Sequence, residues 1–174
     1  MDFLNNYKKD LTDRYCPKFF QFLEIGSDGE CWMCCPSWLP TVIGNILTDD
    51  FQDIWNGEQA QKLRNQVFDN DWNYCIHTLC PQIQSDSLPR ISEIRRGETR
   101  HQYPYKNVIK KNPIVNELPS VINLSEDRSC NLRCPSCRIE KIMHSPGTAL
   151  YEKAKHINDR VYEIFLSEPS TREF

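Results

Sequence analysis

Phe19-Phe20-Gln21-Phe22-Leu23-Glu24-Ile25, then Asp28-Gly29, then Cys31-Trp32-Met33-Cys34-Cys35 is the stretch on which the architecture of the N-terminal part turns. Its first limb is aromatic and branched, the composition of a strand, and Asp28-Gly29 is a turn signal that sends the chain back along itself. The return limb carries three thiols. A small β-hairpin bearing cysteines is therefore expected. Working outward, Gly44-Asn45 marks a further turn, and Asp49 or Asp50 can cap a short helix through Phe51, Ile54 and Trp55 that stops near Asn56-Gly57. Leu63, Val67 and Phe68 outline one face of a second helix ending at Asp69-Asn70-Asp71. Trp55, Leu63 and Phe68 are expected in the core.

Composition narrows the classes. The 174 residues hold 21 basic and 24 acidic side chains, a net charge of -3, with 39% apolar and 11% aromatic residues. Nucleic acid is not an expected partner on that balance. No window approaches the ~20 apolar residues of a spanning helix, so no membrane association is expected. The start, Met1 to Asp10, has no apolar run that could act as a secretion signal, which makes the cytoplasm the expected compartment. There are nine cysteines, an odd count, in three groups: Cys16, Cys31, Cys34 and Cys35; Cys75 and Cys80; Cys130, Cys134 and Cys137. In a reducing compartment such grouping points to metal or cluster binding ahead of disulfides.

Residues 82–118 read as a connector. Pro89, Pro104 and Pro113 punctuate a segment carrying Arg90, Arg95, Arg96, Arg100, Lys106, Lys110 and Lys111, and a solvated linker is the expectation. His77, His101 and His156 are expected on the surface. Beyond it, Val121-Ile122-Asn123-Leu124 reads as a buried strand, followed by a polar, cysteine-bearing loop from Ser125 to Arg138. Leu150, Ala154, Ile157, Val161 and Ile164 then recur at helical spacing, with Thr148 as a candidate N-cap. Strand, loop and helix make one βα unit, with its functional loop beyond the strand's carboxyl end, as in α/β barrels.

Cys130-Asn131-Leu132-Arg133-Cys134-Pro135-Ser136-Cys137 places three thiols in one loop. Three thiolates can hold three irons of a [4Fe-4S] cluster and leave the fourth open, whereas electron carriers ordinarily use four cysteines. A zinc site completed by His144 is the alternative. From Ile122 to Arg138 the sequence resembles the start of a radical S-adenosylmethionine (SAM) enzyme, covering the first barrel strand and its cluster loop. The resemblance implies that Cys130, Cys134 and Cys137 bind the cluster and that the amino and carboxylate groups of SAM chelate the open iron. Reductive cleavage of SAM would then yield a 5′-deoxyadenosyl radical. Ser136 departs from the family, which often has a large or aromatic residue there.

The segment from Cys16-Pro17 to Cys80-Pro81 resembles the SPASM or twitch domains that accompany many radical SAM enzymes and bind auxiliary clusters. Twelve residues separate Cys16 from Gly29 and four separate Gly29 from Cys34. Cys34-Cys35-Pro36, Ile43-Gly44-Asn45-Ile46, Asp53-Ile54-Trp55-Asn56, Leu63-Arg64, Cys75 and Cys80 continue the pattern. It implies one auxiliary [4Fe-4S] cluster on Cys16, Cys34, Cys75 and Cys80. Cys35 competes with Cys34 for the second place, and Cys31 could take it in a register counted from Gly26. Zinc on four cysteines is again the alternative.

The expected fold is thus α+β passing to α/β. Residues 1–81 would form the SPASM-like cluster domain, 82–118 the basic linker, and 119–174 the N-terminal portion of a radical SAM core. A βα unit takes ~30 residues, so residues 121–174 accommodate one, and the glycine-glycine-glutamate stretch that holds the SAM amino group in that family is not found. Glu168-Pro169 lacks the glycines. The expectation is an enzyme of that family, or its front portion, a split product or a decayed form, whose barrel needs strands from a continuation or a partner chain. No residue beyond the cofactor ligands reads as catalytic. The resemblance further implies a reductant such as ferredoxin or flavodoxin and a peptide or protein substrate. A non-catalytic iron-sulfur protein that transfers electrons or docks on a partner is the competing class, and a zinc module the third.

Overall fold

The computed structural model describes residues 8–92, 102–130, 132, 134, 136 and 140–166. The fold is mixed α+β. Pro17 starts a single helical turn, α1 (Lys18–Gln21), with the Phe20 amide donating to the Pro17 carbonyl at 3.0 Å. Phe19 and Phe20 are thus helical and buried, and the strand expected from Phe19 begins only at Phe22. Proline at the head of the segment presets the helical φ, which overrides the β preference of the two phenylalanines.

Strands β1 (Phe22–Gly26) and β2 (Glu30–Trp32) form the antiparallel hairpin, pairing Glu24 with Trp32 and Ile25 with Cys31. Gly29 closes the turn at φ +85°, and a Cβ there would stand 2.5 Å from Asn45 Oδ1. Only glycine meets both demands. Gly44-Asn45, expected as a turn, is instead a short strand, β3, antiparallel to β2. Asn45 earns that place by donating from Nδ2 to the Asp28 carbonyl at 2.9 Å. β2 ends at Trp32, so Cys34 and Cys35 lie beyond the strand and not on it.

Helix α2 (Phe51–Asn56) starts at Asp50, whose carboxylate accepts from the Gln52 amide at 2.8 Å. Helix α3 (Glu58–Phe68) follows after Gly57 and runs to Asp69 and Asn70, the latter at φ +54°. Trp55 and Leu63 are buried as expected, while Phe68 is only partly so and packs on Phe20 at 6.1 Å between centroids. Short α4 (Pro81–Gln84) begins at Cys80.

The middle segment is not a solvated strap where it is described. Ile83, Leu88, Val108 and Val115 are buried in the same core as the hairpin. Helix α5 (Gln102–Lys110) contributes Val108. Arg64, fully buried, fastens the chain that follows: Nε donates to the Phe19 carbonyl at 2.9 Å and Nη1 to the Pro113 carbonyl at 2.8 Å. Its guanidinium carbon lies 4.6 Å from the Trp55 ring centroid, and burial without a carboxylate pulls its pKa down to about 9. Trp55 Nε1 donates to the Glu117 carbonyl at 3.1 Å. Charge and proline pattern report polarity but not these side-chain anchors.

Strand β4 (Val121–Ser125) then pairs in parallel with β1, from Phe22 against Val121 to Gly26 against Ser125, giving the sheet order β3-β2-β1-β4. The strand was expected to be buried. Val121 and Leu124 are instead exposed and only Ile122 packs on the core, because β4 is the sheet edge. Helix α6 (Ala149–Phe165) is capped by Thr148 and buries Ala154, Ile157, Val161 and Phe165; Leu150, expected on that face, is exposed. Phe165 meets Phe51 edge-on at 4.9 Å between centroids. No helix among the described residues is long and apolar enough to cross a membrane.

Candidate metal centre

Four thiols from three separate parts of the chain meet in one place. Cys16 precedes α1, Cys34 follows β2, and Cys75 and Cys80 stand on the loop between α3 and α4. All four line one apolar cavity, walled by Phe19, Trp38, Leu39, Trp72, Ile83 and Leu88. The loops are fixed from outside. The Ile76 amide donates to the Trp38 carbonyl at 2.9 Å, tying the Cys75–Cys80 loop to the Cys34 loop. The Cys75 amide donates to the Trp72 carbonyl at 3.1 Å, and Trp72 itself is buried at φ +50°, an uncommon backbone state for a bulky residue.

His77 was expected on the surface and is buried. Its Nδ1 accepts from the Lys9 amide at 3.1 Å and its Nε2 lies 3.3 Å from the Trp72 carbonyl oxygen. The ring braces the loop from behind, and burial lowers its pKa. His156 is exposed. His101 lies outside the described residues.

The electrostatics reflect the convergence. Burial pushes the Cys16 thiol up to about 12, and the nearby Cys34 and Cys80 add to the rise. Burial likewise raises Cys75, with Cys16, Cys80 and Cys34 contributing. Cys34 is raised by burial, opposed by the Lys18 cation and by the Trp38 indole N–H. Burial therefore opposes ionisation of Cys16, Cys34 and Cys75, and a metal bound there would have to offset that cost.

Among the three candidates for the second ligand, the fold separates the choices. Cys31 is buried in β2, with Sγ 3.6 Å from the Gly29 carbonyl oxygen; burial lifts it to about 12, and its charged neighbours are Asp49 and Glu30. Cys35 is half-buried and does not line the cavity. Cys34 does. Strand alternation could not have decided this, because β2 ends before Cys34.

The donor set suits a soft metal or an iron-sulfur cluster, being four sulfurs with no carboxylate in the cavity wall. Among the described residues, no three His, Cys, Asp or Glu side chains are arranged to hold a single metal ion.

The late triplet is laid out differently. Cys130 is half-buried and pairs with Ile142 across a short bridge, its amide donating to the Ile142 carbonyl at 2.7 Å. Asp127 accepts from the Ser129 amide at 2.7 Å and faces His144 Nδ1 at 2.9 Å, so His144 is engaged with Asp127 at the base of the loop. Cys134 is exposed. Cys137 lies outside the described residues. Beside the loop, at the carboxyl ends of the parallel pair β1 and β4, is a cavity of about 500 Å³ lined in part by Glu24, Asp28, Glu30, Trp32, Asp127 and Arg128.

Trp38 is a neighbour of the thiols that the sequence did not single out. Its indole nitrogen donates to Cys34 Sγ at 3.0 Å. The four-residue step from Cys34 is the only trace of this in the sequence.

Residues 16–81 match the family model of SPASM, an iron-sulfur cluster-binding domain that occurs in radical SAM proteins. All four cavity thiols fall within the match. No curated protein and no solved structure matches the chain.

Proposed function

We propose that the chain carries two [4Fe-4S] clusters and works as a radical SAM protein, or as the part of one that couples an auxiliary cluster to the SAM-binding loop. The observation that carries this reading is the meeting of Cys16, Cys34, Cys75 and Cys80 around one apolar cavity inside the segment that matches an iron-sulfur domain. These four would ligate the auxiliary cluster, and Cys130, Cys134 and Cys137 would hold the second with one iron open to SAM. When bound there, that cluster supplies the electron that splits the SAM sulfonium. The chain's own residues do the rest. Phe19, Leu39, Ile83 and Leu88 keep water from the early site, which protects reduced sulfur ligands and strengthens every electrostatic contact made there. The pairing of β4 with β1 carries the Cys130 loop to the same sheet as the auxiliary site, and the adjoining 500 Å³ cavity offers room for a small molecule or a side chain. A low-potential reductant such as ferredoxin or flavodoxin and a peptide or protein substrate complete the proposal.

Anaerobic reconstitution tests it. The expected result is about eight irons per chain. Alanine at Cys130, Cys134 and Cys137 together should remove half, and alanine at Cys16 and Cys75 the other half. SAM should alter the EPR signal of the reduced late cluster and leave the early one unchanged. Stoichiometric zinc with no iron uptake would reject both clusters, and an iron-loaded protein indifferent to SAM would make it a non-catalytic iron-sulfur protein.

A further inference from the structure

A tryptophan in an apolar wall buries a ring easily, but its N–H needs an acceptor. Trp38 lies in the wall of the early cavity, and its indole nitrogen donates to Cys34 Sγ at 3.0 Å. A neutral thiol is a weak acceptor, whereas a thiolate is a strong one. The contact therefore gains most of its strength when Cys34 is ionised, which is the state of a cluster ligand. The donor is also held in place. The Trp38 amide donates to the Cys35 carbonyl at 3.2 Å, and its own carbonyl accepts from Ile76, between Cys75 and Cys80.

We propose that Trp38 is a positioning residue that raises the reduction potential of the cluster held by Cys16, Cys34, Cys75 and Cys80, through the hydrogen bond from its indole N–H to the Cys34 sulfur. This rests on the cluster reading above. The physical basis is that the one-electron reduction of a [4Fe-4S] cluster adds negative charge that spreads onto the thiolate sulfurs. A fixed N–H dipole aimed at one of them stabilises the reduced form more than the oxidised one. The apolar wall leaves little competing solvent to screen that dipole.

The test uses the full chain with Cys130, Cys134 and Cys137 replaced by Ala, so that only the early cluster is seen. Trp38→Phe keeps an aromatic ring and removes the N–H. In an EPR-monitored titration with dithionite as the electron donor, iron content should be unchanged and the midpoint should move negative. The expected change is about tenfold in the reduction equilibrium, or 59 mV for one electron. An unchanged or more positive midpoint at full iron loading overturns the tuning role and leaves the cluster reading standing. If the parent chain takes up no iron, the cluster reading falls, and the tuning role falls with it. Should Trp38→Phe fail to fold, the parent protein labelled with ¹⁵N-tryptophan decides the matter. Pulsed EPR of the reduced cluster should then detect a weakly coupled indole nitrogen, and its absence overturns the proposal.

Discussion

Replacing Ile157 by Ala tests whether the strand-loop-helix that carries the late cysteines is built onto the early domain. Ile157 lies on α6, is 0% exposed, and belongs to the same core as the hairpin and α2. The substitution deletes about three methylene equivalents, worth ~2.4 kcal/mol of transfer free energy. A residual cavity adds ~24 cal/mol per Å³ to the extent that its walls do not collapse. The expected loss is therefore about 3–4 kcal/mol. With a urea m-value of ~2 kcal/mol/M, the midpoint should fall by about 1.5–2 M. The assay is urea unfolding of the metal-free, reduced protein, followed by tryptophan fluorescence. All four tryptophans, Trp32, Trp38, Trp55 and Trp72, belong to the early part of the chain, so they report on α6 only if the two parts unfold together. An unshifted fluorescence transition, with helix lost separately by circular dichroism, would refute the shared core and with it the coupling of the two cysteine groups through β1 and β4.

Three further outcomes are expected. Cys34→Ala should strip the early cluster's iron, whereas Cys35→Ala and Cys31→Ala should retain it, Cys31→Ala at a stability cost of about 1 kcal/mol for its buried sulfur; iron analysis and thermal melts separate the three, and iron loss in Cys35→Ala alone would move the ligand. The metal-free protein should lose stability as pH rises above about 9, because Cys16 is held near 12 when folded but ionises at its ordinary value when unfolded. The stabilising difference is whole below that ordinary value and is lost toward 12, so Tm at pH 10 should lie below that at pH 7.5, and Cys16→Ser should reduce the drop. Gly29→Ala should cost about 1–3 kcal/mol through its left-handed backbone and the close Asn45 amide, read as a lowered Tm; a neutral result would mean that the turn has another conformation.

Short-range chemistry was legible in the chain. Thr148 was recognisable as a cap, and Asp49 or Asp50 as another, because a side-chain oxygen a few residues from a free amide needs no tertiary partner; the structure selects Asp50. Asp28-Gly29 marked the hairpin, since the left-handed turn tolerates little else, and the resemblance of the segment from Cys16 to Cys80 to a cluster-binding domain implied the thiols now found around one cavity, with Cys31 and Cys35 left as alternatives to Cys34. Tertiary structure decided which surfaces meet. Nothing local says that β4 pairs in parallel with β1, some hundred residues earlier in the chain, or that it does so as an exposed edge. Periodicity could not expose the burial of His77, Val108 and Val115, because their partners, Lys9 and the shared core, come from other segments. That Cys34, and not Cys31 or Cys35, lines the cavity depends on where β2 stops. β2 leaves the sheet after Trp32 although β1 runs on to Phe22, so its end is set by how the following loop packs in the fold and not by the residues of the strand itself.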